Sequence, residues 1–200
     1  MFKYSVIIPA YENEIYLKRA LVSIANQNFY NLEIIVSDDC SKNSNLKKVC
    51  EEFKKNNLNL KLYYYYQEKN LTPTPNTKFL LEKASGEFII LLPHDDYLVD
   101  INFLSECNEI SLIDKEISCF MANTIFENTK KKMVNNDFNE WKIIKDRESF
   151  IMEFSNTRNH PAYSAVIFKK DILLKHNYFE LFFSLEDYKK FKYEPDEIMM

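Results

Sequence analysis

Residues 4–43 read YSVIIPAYENEIYLKRALVSIANQNFYNLEIIVSDDCSKN, and this stretch decides the fold. Tyr4 to Pro9 is a short β-branched run ended by proline, the mark of a buried strand. Leu17, Ala20, Leu21 and Ile24 then recur at helical spacing, with Asn13 placed to cap the helix. Leu32 to Ser37 is a second strand, and Asp38-Asp39 follow it directly. Strand, helix, strand within forty residues is one βαβ unit, which implies a right-handed crossover and a parallel sheet.

The alternation continues outward. Leu46 to Asn56 reads as a helix with Leu46, Val49, Cys50 and Phe53 on one face. Leu60 to Tyr66 is a third strand; its Tyr63–Tyr66 run is read as ordinary β-prone sequence. Pro75 to Lys83 is a helix with proline near its start. Phe88 to Leu92 is a fourth strand, apolar throughout as a strand covered on both faces should be. After Pro93 the pattern changes. Phe103 to Ile113 is helical, and Ile117–Phe126 with Lys132–Val134 suggests a hairpin around Glu127-Asn128-Thr129. A short helix over 146–154, a strand over 165–169, a helical turn over 171–175 and a final helix from Ser184 complete the pattern. The expected class is α/β: a mostly parallel, Rossmann-like sheet flanked by helices, with a smaller antiparallel part.

Composition excludes several functions. Among 200 residues there is one glycine, Gly86. The dinucleotide fingerprint needs three glycines and the Walker phosphate loop two, so neither is present. Gly86 sits in the turn that feeds the fourth strand, where a backbone conformation that a side chain would not tolerate is expected, such as a positive φ. Lys and Arg number 26 against 30 Asp and Glu, a net charge of −4, which gives no electrostatic footprint for nucleic acid. Twenty-one asparagines and three arginines suggest an AT-rich, bacterial genome. The four cysteines form no C-x-x-C and fit no zinc spacing, so free thiols are expected. The apolar start is too short for a signal peptide, and no run reaches the length of a membrane span. A cytoplasmic protein is expected, with room for a peripheral place at the inner face of the membrane.

Two aspartate pairs carry the chemistry. Asp38-Asp39 follow the second strand and Asp95-Asp96 the fourth. In a parallel sheet the carboxyl ends share one edge, where ligands bind. Four carboxylates converging there call for a neutralising cation, and Mg²⁺ or Mn²⁺ takes carboxylates, waters and phosphates. Such a metal, completed by a diphosphate, would supply the phosphate binding that glycines do not. The competing reading is plain: Asp-Asp is also common turn and helix-cap composition. His94 is either a metal ligand or, more simply, a partner or solvated side chain beside the turn. His160 and His176 have no evident ligand partner in sequence. Ser184-x-x-Asp187 fits a helix capping box as well as an active-site acid.

These residues closely resemble family 2 glycosyltransferases of the GT-A fold. The resemblance rests on Pro9-x-Tyr11, on Leu17 with Ser23, Ile24 and Gln27, and on Glu33 to Val36 leading to Asp38, Asp39 and Ser41. It continues in KASGEFIILLPHDDYL and in LEDYKKF, so that three ordered motifs span residues 4 to 188. The resemblance implies an enzyme that moves a sugar from a nucleotide-diphosphate donor to an acceptor hydroxyl. On the same basis Pro9, Tyr11, Asp38, Asp39, Asn76 and Asp96 would line the donor site. Asp95 would hold Mn²⁺ or Mg²⁺, and Asp187 would be the general base. A UDP-sugar donor, a glycan or lipid-linked acceptor and a role in bacterial cell-surface glycan synthesis are further expectations of the family.

The chain is expected to form a single domain over 1–200. Residues 1–100 would be its nucleotide-sugar half, and 101–200 an acceptor half that is short at its end. Departures from the family pattern are Pro93 for the first Asp of D-x-D, Pro75 for an Arg before Asn76, and Cys40 for a glycine. Asn177-Tyr178-Phe179 stand where Gly-Gly-Phe is usual. They keep an alternative open, a degenerate module that binds nucleotide-sugars without turnover.

Overall fold

A computed structural model describes residues 3–43, 45–128, 131–135, 144 and 166–175. The first half of the chain folds as the periodicity dictates. Strand β1 (Tyr4–Ala10) leads to helix α1 (Glu14–Ala25), β2 (Leu32–Asp38), α2 (Asn45–Asn56), β3 (Lys61–Tyr66), α3 (Pro73–Lys83) and β4 (Phe88–Leu91). The Asn13 Oδ1 accepts from the Tyr16 backbone N–H, so the expected cap of α1 is in place. Helix α3 starts two residues earlier than expected, with Pro73 at its first position and Pro75 still within its first turn.

Strand order in the main sheet is β3-β2-β1-β4, all parallel, followed by two strands joined through antiparallel pairings. These are β8 (Val166–Lys169), which pairs with β4, and β5 (Cys119–Met121), which pairs with β8. Helix α4 (Phe103–Ile113) precedes β5, and the short α5 (Lys170–Lys175) follows β8. All seven residues of β2 are buried, as expected of a central strand covered on both faces.

Alternate residues of each strand face opposite sides of the sheet. Val6, Ile8, Ile34, Val36 and Ile90 pack against Leu17, Leu21 and Ile24 of α1, Leu46 and Phe53 of α2 and Leu104 of α4. Ile7, Ile35 and Ile89 face Leu80 and Leu81 of α3 and Leu173 of α5. Each such side chain contributes about 1.5–3 kcal/mol on burial, so both helix layers are firmly held.

Two expectations are corrected. The run over 117–126 is not one hairpin arm: the chain leaves the main sheet after β5, and β6 (Thr124–Asn128) pairs with β7 (Lys131–Asn135) as a separate two-stranded sheet. Continuous β-prone sequence hides that break, because Ala122-Asn123 carries no proline or glycine. Gly86 does not have a positive φ. It is needed for space: a Cβ there would lie 2.6 Å from the Ser5 nitrogen and 2.7 Å from the Tyr4 carbonyl carbon. Its N–H donates to Ser5 Oγ, which donates to the buried Glu33 carboxylate at 2.6 Å. Glu33 also accepts from the Ser85 N–H and hydroxyl, and so pins the turn into β4.

Candidate active site

The positive φ angles lie elsewhere, on residues with side chains. Glu12 and Asn13 (φ 51° and 52°) follow β1, Cys40 (67°) follows β2, and Thr72 (70°) precedes α3. Three successive loops at the carboxyl edge of the parallel strands therefore each hold a backbone conformation that side chains disfavour. Backbone strain concentrates at ligand sites, and this is the edge where an open α/β sheet binds ligands.

Asp38 ends β2 opposite Ala10 of β1. It is fully buried, its Oδ1 accepting from the Ser41 N–H at 2.9 Å and its Oδ2 from the Tyr64 hydroxyl at 2.7 Å. Asp39 comes next in the loop, its own N–H bonded to the Ala10 carbonyl. Its Oδ1 accepts from the Leu71 N–H at 2.6 Å, which ties the loops after β2 and β3 together. Burial holds the Asp39 carboxyl above the usual carboxylate range, outweighing the backbone hydrogen bonds from Leu71 and Thr72.

Asn76 is only 1% exposed. Its Oδ1 accepts from Ser37 Oγ at 2.5 Å and its Nδ2 donates to the Ser37 carbonyl at 3.3 Å. Gln67 Nε2 also donates to Ser37 Oγ. Asn76 thus holds the end of β2, with both ends of its amide engaged inside the protein.

On the other side of β1, β4 runs into Pro93-His94-Asp95-Asp96. Asp95 is exposed and Asp96 half-buried. His94 is half-buried, faces the Tyr16 ring at 6.4 Å and bonds through its side chain to the Pro9 backbone. Burial lowers its pKa, more than offsetting Asp95 and Asp96, so the imidazole is neutral at pH 7. It serves as a partner in the loop. Pro9 is half-buried, and the Tyr11 side chain stands at the same edge with 41% of its surface exposed.

Helix α1 grips the segment that comes after β4. An Arg19 guanidinium nitrogen donates to the Asp95 backbone carbonyl. Ser23 Oγ accepts from the Leu98 N–H at 3.0 Å. Gln27 Nε2 donates to the Asp100 carbonyl at 2.7 Å, and its Oε1 accepts from the Leu104 N–H. Arg19 and Ser23 lie four apart on one face of the helix, and Gln27 follows in the turn just after its end.

The four carboxylates do not gather around one point. Among the described residues no three His, Cys, Asp or Glu side chains are placed to share a metal ion. Asp38 is turned inward to its own loop and to Tyr64, which removes it from any such cluster. The remaining donor set, Asp95 with Asp96, does not fit an all-protein cage. It fits a magnesium-like ion held jointly by one or two carboxylates, waters and a substrate diphosphate.

Tyr64 and Arg19 are not marked by the sequence. The parallel register of β3 on β2, with Val36 opposite Tyr64 and Asp38 opposite Tyr66, is the signal that points to the first. The four cysteines are free thiols; burial pushes Cys50 up to about 12, while Cys40 lies in the Asp39 loop near the Tyr66 hydroxyl. Asp187, with Ser184 and Glu186, lies outside the described residues, as do His160, His176, the segment 177–179 and the helix expected over 146–154.

The family model for glycosyl transferase family 2 matches residues 5–173. The chain belongs to glycosyl transferase family 2. This family 2 chain is 31% identical over 189 residues to the GalNAc(5)-diNAcBac-PP-undecaprenol beta-1,3-glucosyltransferase of Campylobacter jejuni, covering 93% of itself and 58% of that protein. Residues 1–349 of Staphylococcus aureus TarS, solved with UDP-GlcNAc, superpose with a TM-score of 0.60 at 25% identity, over 88% of this chain and 48% of that one. The mannosyltransferase PcManGT of Pyrobaculum calidifontis, solved with GDP-Man and Mn²⁺, shares the fold at a TM-score of 0.62 and 15% identity, over 87% and 46% of the two chains. The family 2 chain thus has the GT-A fold, and spans about half the length of the relatives it matches. Among its described residues no helix is long and apolar enough to cross a membrane.

Proposed function

We propose that the chain transfers a sugar, with inversion, from a nucleoside-diphosphate donor to an acceptor hydroxyl in the synthesis of a bacterial cell-surface glycan. The observation that carries this reading is the carboxyl edge of the sheet. The buried Asp38-Asp39 loop on β2 and the exposed Asp95 after β4 flank the same end of β1, with Pro9 and Tyr11 between them. The donor's nucleoside would lie against Pro9, Tyr11 and Asp39, with Asp38 and Asn76 supporting that loop from behind. A UDP-sugar is the donor favoured, in line with the UDP-GlcNAc bound by TarS. A lipid-linked acceptor, taken up at the inner face of the membrane, is favoured by the likeness to a glucosyltransferase acting on an undecaprenol-linked glycan. Residues 1–100 would then serve the donor and 101–200 the acceptor.

Asp95, with Asp96 beside it, would hold Mn²⁺ or Mg²⁺. Such an ion supplies charge neutralisation of the departing diphosphate. Asp187 would take the proton from the acceptor hydroxyl as that oxygen attacks the anomeric carbon, through an oxocarbenium-like transition state. Proton removal by a positioned base is worth about 10²–10⁴-fold. Asp187→Asn should therefore lower kcat by at least about a hundredfold while donor binding by calorimetry is unchanged. Full turnover in that variant would remove Asp187 from the role. Pro93, in the place of the family's first D-x-D aspartate, favours one other outcome: nucleotide-sugar binding by the unaltered chain with no turnover on any acceptor.

A further inference from the structure

We infer that Arg19 is a positioning residue for the Asp95 carboxylate, acting through the main chain of the loop that carries it. This rests on the reading of Asp95 as the metal-holding residue. The chain has three arginines, and this one reaches the loop that carries Asp95 through a main-chain acceptor. Its guanidinium donates to the Asp95 carbonyl. The same group lies 4.5 Å from the centre of the Tyr97 ring and 5.3 Å from that of Tyr16, both within cation–π range. Tyr16 in turn faces His94, whose side chain is tied to the Pro9 backbone. The loop is therefore held on both sides of Asp95, by His94 before it and Tyr97 after it, with Arg19 between.

The need for such a clamp arises from the sequence of the loop. Pro93 has no N–H and fixes one dihedral, but it offers no side-chain donor or acceptor to brace His94, Asp95 and Asp96. The turn is closed by a hydrogen bond from the Asp96 N–H to the Pro93 carbonyl. Asp95 itself is exposed, and the hydrogen bond from α1 anchors its carbonyl. Ser23 and Gln27 perform the same service farther along, at Leu98, Asp100 and Leu104. Arg19 is the rung of that ladder nearest the site, and a planar guanidinium suits it. It can stack on two rings and still donate in its plane, which an ammonium does not do.

The test has two readouts. The first needs no ligand: amide hydrogen exchange in the full chain, comparing Arg19→Ala, Arg19→Lys and the unaltered protein. Arg19→Ala should speed exchange at Asp95 to Tyr97 about tenfold, leaving β1 and β2 unchanged, and Arg19→Lys should recover part of the protection. The second is Mn²⁺ binding in the presence of UDP, followed by electron paramagnetic resonance. Half-saturation should need about tenfold more Mn²⁺ in Arg19→Ala, with UDP affinity in the absence of metal unaltered. Unchanged exchange overturns the clamp whatever the chain catalyses. Faster exchange with unchanged Mn²⁺ half-saturation overturns its link to Asp95. Absence of UDP-dependent Mn²⁺ binding in the unaltered protein overturns the metal reading of Asp95 and this inference with it. Should Arg19→Ala fold poorly, Tyr97→Leu removes one stacking face and should shift both readouts in the same direction.

Discussion

Thr72 holds φ 70° and ψ 161°, a region that belongs to glycine, and it is β-branched. Such a conformation costs on the order of 1–3 kcal/mol. It persists because the loop is over-determined: the Thr72 N–H donates to Asn70 Oδ1, and the neighbouring Leu71 N–H to Asp39. Thr72→Gly should relieve the strain and lose part of the gain to a more flexible unfolded chain. A net stabilisation of about 1 kcal/mol, read as a rise of about 2–4 °C in Tm, is expected in thermal unfolding; a fall would show that the threonine side chain contributes packing that outweighs the strain. Nothing in the letter at position 72 marks this, whereas Gly86 is marked but for another reason. Glycine in a sequence announces freedom at the backbone, and here the freedom used is steric, against Ser5 and Tyr4.

At the scale of elements, β2 and α3 are joined by a polar tie inside an otherwise apolar layer. Asn76 and Ser37 satisfy each other, and Gln67 joins them. Removing one partner leaves a buried group unpaired, which costs about 1–3 kcal/mol. Asn76→Ala should lose that much in urea unfolding, with at most a few-fold change in UDP affinity. A stability-neutral variant with UDP affinity down tenfold would instead make Asn76 a ligand contact. The strands and helices themselves were legible, because Val6-Ile7-Ile8 and Ile34-Ile35-Val36 admit no other reading and Leu17 to Ile24 keep strict helical spacing. The departure of the chain between β5 and β6 was not, since propensity alone does not tell which sheet a strand joins. The ladder from α1 was likewise hidden. Arg19 and Asp95 are 76 residues apart, and a main-chain acceptor leaves no trace in the sequence.

For the molecule as a whole, the site sits where four parallel strands end and three loops carry strain, so bound ligand should report on global stability. A ligand at a hundred times its Kd stabilises by about 2.7 kcal/mol, or about 5–10 °C for a chain of this size. UDP with Mn²⁺ should raise Tm by that amount, and a chelator should cancel most of the rise. No shift with UDP, GDP or either with Mn²⁺ would sink the proposed donor site. That both aspartate pairs fall at the carboxyl edge of the sheet was legible in the sequence. Their division of labour was not, because a buried, fully bonded Asp38 and an exposed Asp95 are written with the same letter.

The placement of β3 has a consequence for handling the protein. The strand lies at the rim of the main sheet, and its sequence, KLYYYY, contains no proline or glycine. Tyr64 and Tyr66 are committed to the loop beside them through their hydroxyls, while Tyr63 and Tyr66 keep 42% and 53% of their surface in water. Among the described residues no strand pairs with its outer side, and a short aromatic strand of low charge is a template for another copy's rim. Lys61, exposed at its start, is the lone charge in the strand that discourages such pairing. Colloidal behaviour at high concentration thus depends on a residue far from the chemistry, and acylation of Lys61 should promote self-association, read by light scattering.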